Sequence, residues 1–298
     1  MFRLRWATVL FIFPLCIHSQ IKTPLTTHNY ELDSRYNQEL TFLKNQEKKD
    51  PKNTLKSIAE LSYYYKDWDT AIAYYERLLL SSPTAENHFK IGVAAARKSL
   101  EVSQFFSIPY AVKAIKYVKK AHELEPKRVI FLNLLIQLYA GIPKFLGGSI
   151  LYAEKKINEL MAIDPFEGMM MQAHLFDVKN DYVAAKSKYM EGFSYLKNQF
   201  SDPRKWISKL NRDMFFVLGR SAAEYNIEAE TAGVLLDHYI NTFDFLDNYP
   251  LEWAYYYRSK IYFYNDRLEE AQRSIRKALE TNPAFKEGEE LLKTMKFE

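Results

Sequence analysis

Only one cysteine, Cys16, and nine glycines occur in 298 residues. A lone thiol allows no intramolecular disulfide and no cysteine-rich metal site. Scarce glycine argues against an architecture of sheets and tight turns, and leaves room for long helices. Histidine is also sparse. Past the first twenty residues it occurs at His28, His88, His122, His174 and His238, with no i, i+4 pair and no HExxH. The nucleophile-elbow pattern GxSxG and the dinucleotide fingerprint GxGxxG are missing as well. Carboxylates are spread among lysines and arginines along helical stretches, and none is isolated as a general acid in an apolar setting. These absences predict a non-catalytic protein that needs no cofactor, metal or nucleotide.

The first twenty residues, MFRLRWATVLFIFPLCIHSQ, place Arg3 and Arg5 before an apolar run from Trp6 to Ile17, followed by the small residue Ser19. This is the n-region, h-region and cleavage pattern of a secretory signal, expected over residues 1–19. The run is short for a membrane span, and a retained anchor is the alternative. Leu15 fills the place where a lipoprotein signal wants a small residue, which speaks against lipidation of Cys16. Loss of the two arginines takes the basic residues from 41 to 39, against 37 acidic ones. A chain so near neutrality offers no electrostatic footprint for nucleic acid. Basic runs such as KAIKYVKK, 113 to 120, alternate with apolar positions and read as one solvated helix face.

What is present is a repeat. Four sets share one spacing: Ala71, Tyr75, Leu78, Pro83; Ala114, Val118, Ala121, Pro126; Ala153, Ile157, Leu160, Pro165; and Ala271, Ile275, Ala278, Pro283. Residues at i, i+4 and i+7 share a helix face, the leading alanine admits a close neighbour, and the proline stops the helix. An earlier apolar stripe precedes each set, as with Ile58, Ala59 and Ser62 before the first. The pattern resembles the tetratricopeptide repeat, a helix-turn-helix unit of about 34 residues. The match extends through Ala173, Phe176, Tyr182, Ala185 and Tyr189 and is weaker around Leu218–Gly219, where Ala232 falls out of register. The resemblance implies an all-α, right-handed α-solenoid over residues 52–298. An N-terminal segment with a capping helix is expected within 20–51, and a polar C-terminal capping helix over 284–296.

Two intervals exceed the repeat length. Pro83 to Pro126 spans 43 residues and Pro126 to Pro165 spans 39. The surplus falls at residues 99–110 and at GIPKFLGGS, 141–149, and both are expected as enlarged turns. The glycines of GIPKFLGGS, ahead of a helical run, suggest a phosphate loop. However, five residues separate Gly141 from Gly147, and Gly148 stands where a P-loop needs lysine. A turn is expected, with Gly141 and Pro143 ending one helix and Ser149 capping the next.

The resemblance further implies that the first helices of successive repeats line a concave groove. Carried over by register, the groove would present Tyr63, Tyr64, Lys90, Arg97, Lys98, Asn133, Gln137, Met170, His174, Trp253, Tyr256, Lys260 and Tyr264. Lys56 and Glu60 do not reproduce the basic and asparagine clamp of the chaperone-binding subfamily. The function expected is a scaffold for a protein or peptide partner in the periplasm or cell envelope. Membrane contact is expected only through that partner. The His18–Gln20 ending resembles signals common in Bacteroidota. The alternative is a periplasmic small-ligand-binding component associated with a solute transporter, with a closed apolar pocket near the two long turns.

Overall fold

The computed structural model describes residues 25–295, among which there are fourteen α-helices, three short 3-10 helices and no strand. The expected leader at 1–19 lies outside the described residues. A capping helix α1 (Ser34–Gln46) is followed by six pairs: α2 (Pro51–Tyr64) with α3 (Trp68–Leu79), α4 (Ala85–Glu101) with α5 (Gln104–Leu124), and α6 (Val129–Gly141) with α7 (Ile150–Ile163). Then come α8 (Pro165–Val178) with α9 (Tyr182–Gln199), α10 (Arg212–Tyr225) with α11 (Ala229–Asn241), and α12 (Leu251–Phe263) with α13 (Leu268–Thr281). The short α14 (Lys286–Thr294) closes the array. Each pair packs internally and its second helix packs on the next pair, so the architecture is an α-solenoid.

The repeated positions explain the packing. Ala71, Ala114, Ala153, Ala185 and Ala271 are all fully buried, as are Val118, Leu160 and Ile275. The prolines fall just beyond the second helices, and Pro165 is already the first residue of α8. The turn inside a pair is also repeated. Lys66, Asn180 and Asp266 take left-handed φ values of 61°, 59° and 57°. The next residue then donates its N–H back to Ser62, Phe176 or Tyr262, at 2.9, 2.9 and 3.0 Å. Asp67 and Asp181 cap the helices that follow, whereas Arg267 in the same place makes no side-chain cap. In the fifth pair both Asn226 and Glu228 are left-handed. This longer turn puts twelve residues between Gly219 and Ala232, against eleven between Ala173 and Ala185. That single extra residue is why the fifth repeat reads out of register.

The two surpluses are accommodated differently. At 99–110 the expected large turn is absent: α4 runs to Glu101, α5 begins at Gln104, and only Val102 and Ser103 link them. The extra residues lengthen the helices instead, and Pro109 is carried inside α5. The 141–149 stretch is a turn. After α6 ends at Gly141, a 3-10 helix spans Lys144–Leu146, Gly147 turns at φ 104°, and Ser149 caps α7. Ser149 N–H donates to Tyr139 O at 2.8 Å, which ties the turn to α6.

The core forms two clusters that meet at α8. Met171 and Leu175 belong to the N-terminal one, while Phe166, Met170 and Ala173 belong to the C-terminal one. Between α9 and α10 a 3-10 helix, Pro203–Ser208, wedges in the fully buried Trp206, whose indole N–H donates to Phe200 O at 3.0 Å.

The glycine turn makes a direct prediction. A Cβ on Gly148 would lie 1.6 Å from the Ile142 carbonyl oxygen, whereas one on Gly141 would meet nothing within 4 Å. Gly148→Ala should cost about 2–4 kcal/mol in urea denaturation and Gly141→Ala less than about 0.5 kcal/mol. Equal midpoints for the two variants would contradict this account of the turn.

Candidate partner-binding groove

The first helices of the pairs line an inner wall, along which α6 packs on α8 and α10 on α12. Side chains bridge them. Lys90 Nζ of α4 lies 4.1 Å above the Tyr63 ring of α2. Asn133 of α6 donates to Glu167 of α8 at 3.0 Å, and Asn211, which caps α10, donates to the other Glu167 oxygen at 3.3 Å. Lys260 of α12 pairs with Glu224 of α10 at 2.8 Å. Each of these contacts lies on the face that the repeat register assigns to the groove.

The expected residues divide accordingly. Tyr63, Asn133, His174, Tyr256 and Lys260 are partly buried along the inner wall, and Gln137 and Tyr264 are exposed. Three depart from the expectation. Met170 is 1% exposed and Trp253 8%, so both are core. Trp253 packs its ring on Phe285, 5.0 Å away, which fixes α14 against α12. Lys98 turns toward α3 and pairs with Asp69 at 2.6 Å. His122 is buried, with Lys156 Nζ 2.9 Å from its Nε2.

Tyr64 and Arg97 do face inward, and they meet the chain itself. Residues 242–250, which link α11 to α12, reach across the groove to the first two repeats. Phe245 lies among His28, Tyr64 and Tyr65, with ring centroids 5.4, 4.9 and 6.3 Å away. Lys66 Nζ donates to the carbonyl of Phe245 at 2.6 Å and to Thr26 Oγ1 at 2.7 Å. Arg97 donates to the Asn248 side chain, whose own amide donates to Asp213 at 2.6 Å. Thr26 N–H donates to Asn248 O at 2.9 Å. At its root the segment is held by Arg212, which grips both oxygens of the buried Asp247 at 2.5 and 2.6 Å. Asp237 pairs instead with Arg258, so the acidic residues of this region do not converge.

Tyr63 and His174 keep partial contact with solvent, yet burial dominates their titration. It raises the Tyr63 phenol, and together with Arg220 it pulls the His174 imidazole down to about 4. Protein packed around both side chains disfavours their charged forms. Two turns before His174 on α8, burial first and then Asp164 and Asp213 push the Glu167 carboxyl up to about 7, against the hydrogen bond from Asn133. Glu167, Asp213 and Arg220 were missed by sequence reasoning. Gly219–Arg220 stands where Ala173–His174 and Ser259–Lys260 stand in their repeats, so that small-then-polar step is the signal that could have found Arg220. Two open depressions lie elsewhere, one over α8 and α9 beside Met190 and Tyr195, the other between α4 and α5 beside His88 and Lys120. Neither is at the expected long turns.

No family model matches the sequence, and no curated protein matches it. Solved structures do match. A tetratricopeptide repeat protein from Parabacteroides merdae is similar over 88% of this chain and 92% of its own, with a TM-score of 0.52 at 16% identity. The fold is the tetratricopeptide repeat solenoid. The Cut9–Hcn1 hetero-tetramer of the APC/C is similar over 87% of this chain, with a TM-score of 0.56 at 14% identity. This chain spans 46% of the length of that one. At such identities the likeness concerns the fold of the tetratricopeptide array, and the residues in its groove are this chain's own.

The two shifted groups on α8 predict opposing pH slopes. Glu167 holds its proton to higher pH when folded, so its contribution is full below pH 4.5 and is lost as pH rises through about 7. His174 resists protonation when folded, so its contribution is full above pH 6.5 and is lost as pH falls toward 4. Between 4.5 and 6.5 the two offset one another. Allowing for solvent contact, each is worth about 1–2 kcal/mol. His174→Gln should lose stability as pH rises across that window, and Glu167→Gln should gain it. Urea midpoints that track the wild type at every pH would refute the assignment.

Proposed function

We propose that this protein is a non-catalytic scaffold that holds a protein or peptide partner along the concave face of its repeats, in the periplasm or cell envelope. One observation carries the reading. The groove already grips a stretch of irregular chain, its own turn-containing segment 242–250, through a cation on a backbone carbonyl, an aromatic box around Phe245 and an arginine on an amide. These are the contacts by which a groove recognises a peptide, with main-chain hydrogen bonds giving affinity and side-chain pockets giving selectivity. The segment fills the end formed by the first two repeats. The wall that remains for a partner runs along α6, α8 and α12, past Gln137, His174, Lys260 and Tyr264. Aromatic and cationic side chains on such a wall suit a partner-binding hot spot. The location rests on the leader-like pattern of residues 1–19 alone.

The test is affinity capture from an envelope extract, followed by calorimetry with the protein recovered. Trp253 is unsuitable as a probe, because its removal would loosen the core. Gln137→Ala with Tyr264→Ala removes exposed groove side chains and should weaken the partner at least tenfold while leaving the melting temperature unchanged. Undiminished binding by that variant, or recovery of a small molecule and no protein, would rule the proposal out.

A further inference from the structure

The lengthened helices and the glycine turn come together on the outer edge of the array. With 21 residues α5 is about 32 Å long, so it outruns its 17-residue partner α4 by about one turn and the 12-residue α3 of the preceding repeat by more than two. It carries a further apolar stripe, Phe105, Ile108, Val112 and Ile115, at i, i+3, i+7 and i+10. This stripe is distinct from the buried Ala111–Ala114–Val118 face. The lower end of the stripe meets the glycine turn, where Ile115 packs against Gly147. Beyond it the side chains stand in solvent: Phe105 is 79% exposed, Phe106 64%, Phe145 76% and Leu151 72%. Phe105 and Phe106 meet edge to face with ring centroids 5.7 Å apart, and two such exposed groups at the ends of one apolar stripe exceed the scattered apolar exposure of an ordinary surface.

Near the glycine turn the charges are one-sided. Glu76 pairs with Lys113, Glu123 with Lys120 and Glu154 with Lys179, while Glu101, closer to Phe105, accepts the Trp68 indole N–H at 2.7 Å. Lys116, Lys119, Lys144 and Lys155 are exposed, and among the described residues none of them has an ion-pair partner. No helix among the described residues is long and apolar enough to cross a membrane. We propose that this edge docks on an anionic phospholipid surface, with Phe105, Phe106, Phe145 and Leu151 entering the interface and the four lysines facing the headgroups. Protruding aromatics ringed by free cations bind such surfaces through buried apolar area plus attraction to anionic lipid. Direct membrane contact departs from the expectation that a partner alone would mediate it. It is independent of what the groove binds.

The test uses the full chain with Cys16→Ser and an environment-sensitive fluorophore on Phe145→Cys, mixed with vesicles. With phosphatidylcholine and phosphatidylglycerol in equal amounts, emission should shift to the blue and intensify. With phosphatidylcholine alone, or at high salt, the apparent affinity should fall at least tenfold. Adding Phe105→Ser and Phe106→Ser should cause a similar loss with an unchanged circular dichroism melt, since both side chains are exposed. A label that stays in water on anionic vesicles overturns the proposal, as does undiminished affinity in the serine variant. A blue shift without vesicles that follows dimer formation in sedimentation also overturns it, in favour of another copy of this chain.

Discussion

Everything in this molecule depends on how closely two helices can approach at one small residue. Ala71, Ala114, Ala153, Ala185 and Ala271 each stand where the second helix of a pair meets the first, and each is fully buried. A larger side chain there would force the axes apart, and cores resist even a methylene of excess volume. The first helix can supply a small residue as well. A Cβ on Gly219 would lie 2.2 Å from Leu236, and one on Gly92 would lie 2.4 Å from Val118. The contact recurs in kind across the repeats, with small residues on both helices where the approach is closest.

Six such pairs stacked in one sense leave the first helices facing a common hollow, and packing along that wall sets the electrostatics. Groups on it are desolvated by the protein around them. That is why a carboxylate and an imidazole two turns apart on α8 are pushed in opposite directions, both toward neutrality. The same geometry lets the 242–250 segment reach residues of the first two repeats. Without that curvature, Lys66 and Asp247, 181 positions apart, could not meet. The segment therefore acts as a clasp across the groove. Its buried anchor, Asp247 held by Arg212, ties it more firmly to its own repeat than to the far side.

The array is legible in the sequence because a repeat states the same physical requirement several times over. The alanine-to-proline spacing locates four of the six pairs, and the turn inside the third. What escapes is whatever the repeat does not encode. Register marks which helix face points inward, and it does not say whether a residue on that face is covered by something later in the chain. Tyr64 and Arg97 stand on the expected face and are met by the clasp, which no local pattern announces. Trp253 reads as an anchor because aromatics on such helices serve groove and core alike, and Phe285 of the final cap decides the matter. The surplus at 99–110 reads as a loop because spacing counts residues and not their conformation. Pro109 lies inside α5, which continues through it although proline cannot donate to the carbonyl of Phe105 four residues back.

The departures from regularity are therefore the informative parts of the molecule. A perfect stack would need neither a 21-residue α5, nor a glycine turn, nor a nine-residue link bent back across its own groove. Each of these adds residues that bury little additional core, as the exposure of Phe105 and Phe145 makes plain. Chain that orders without burying apolar surface opposes folding through its conformational entropy. Its retention in a rigid array calls for a role outside stability. The clasp lies on the concave side and the lengthened helices on the outer edge. The two irregularities thus address different neighbours, one a stretch of chain within the hollow, the other a surface met from outside.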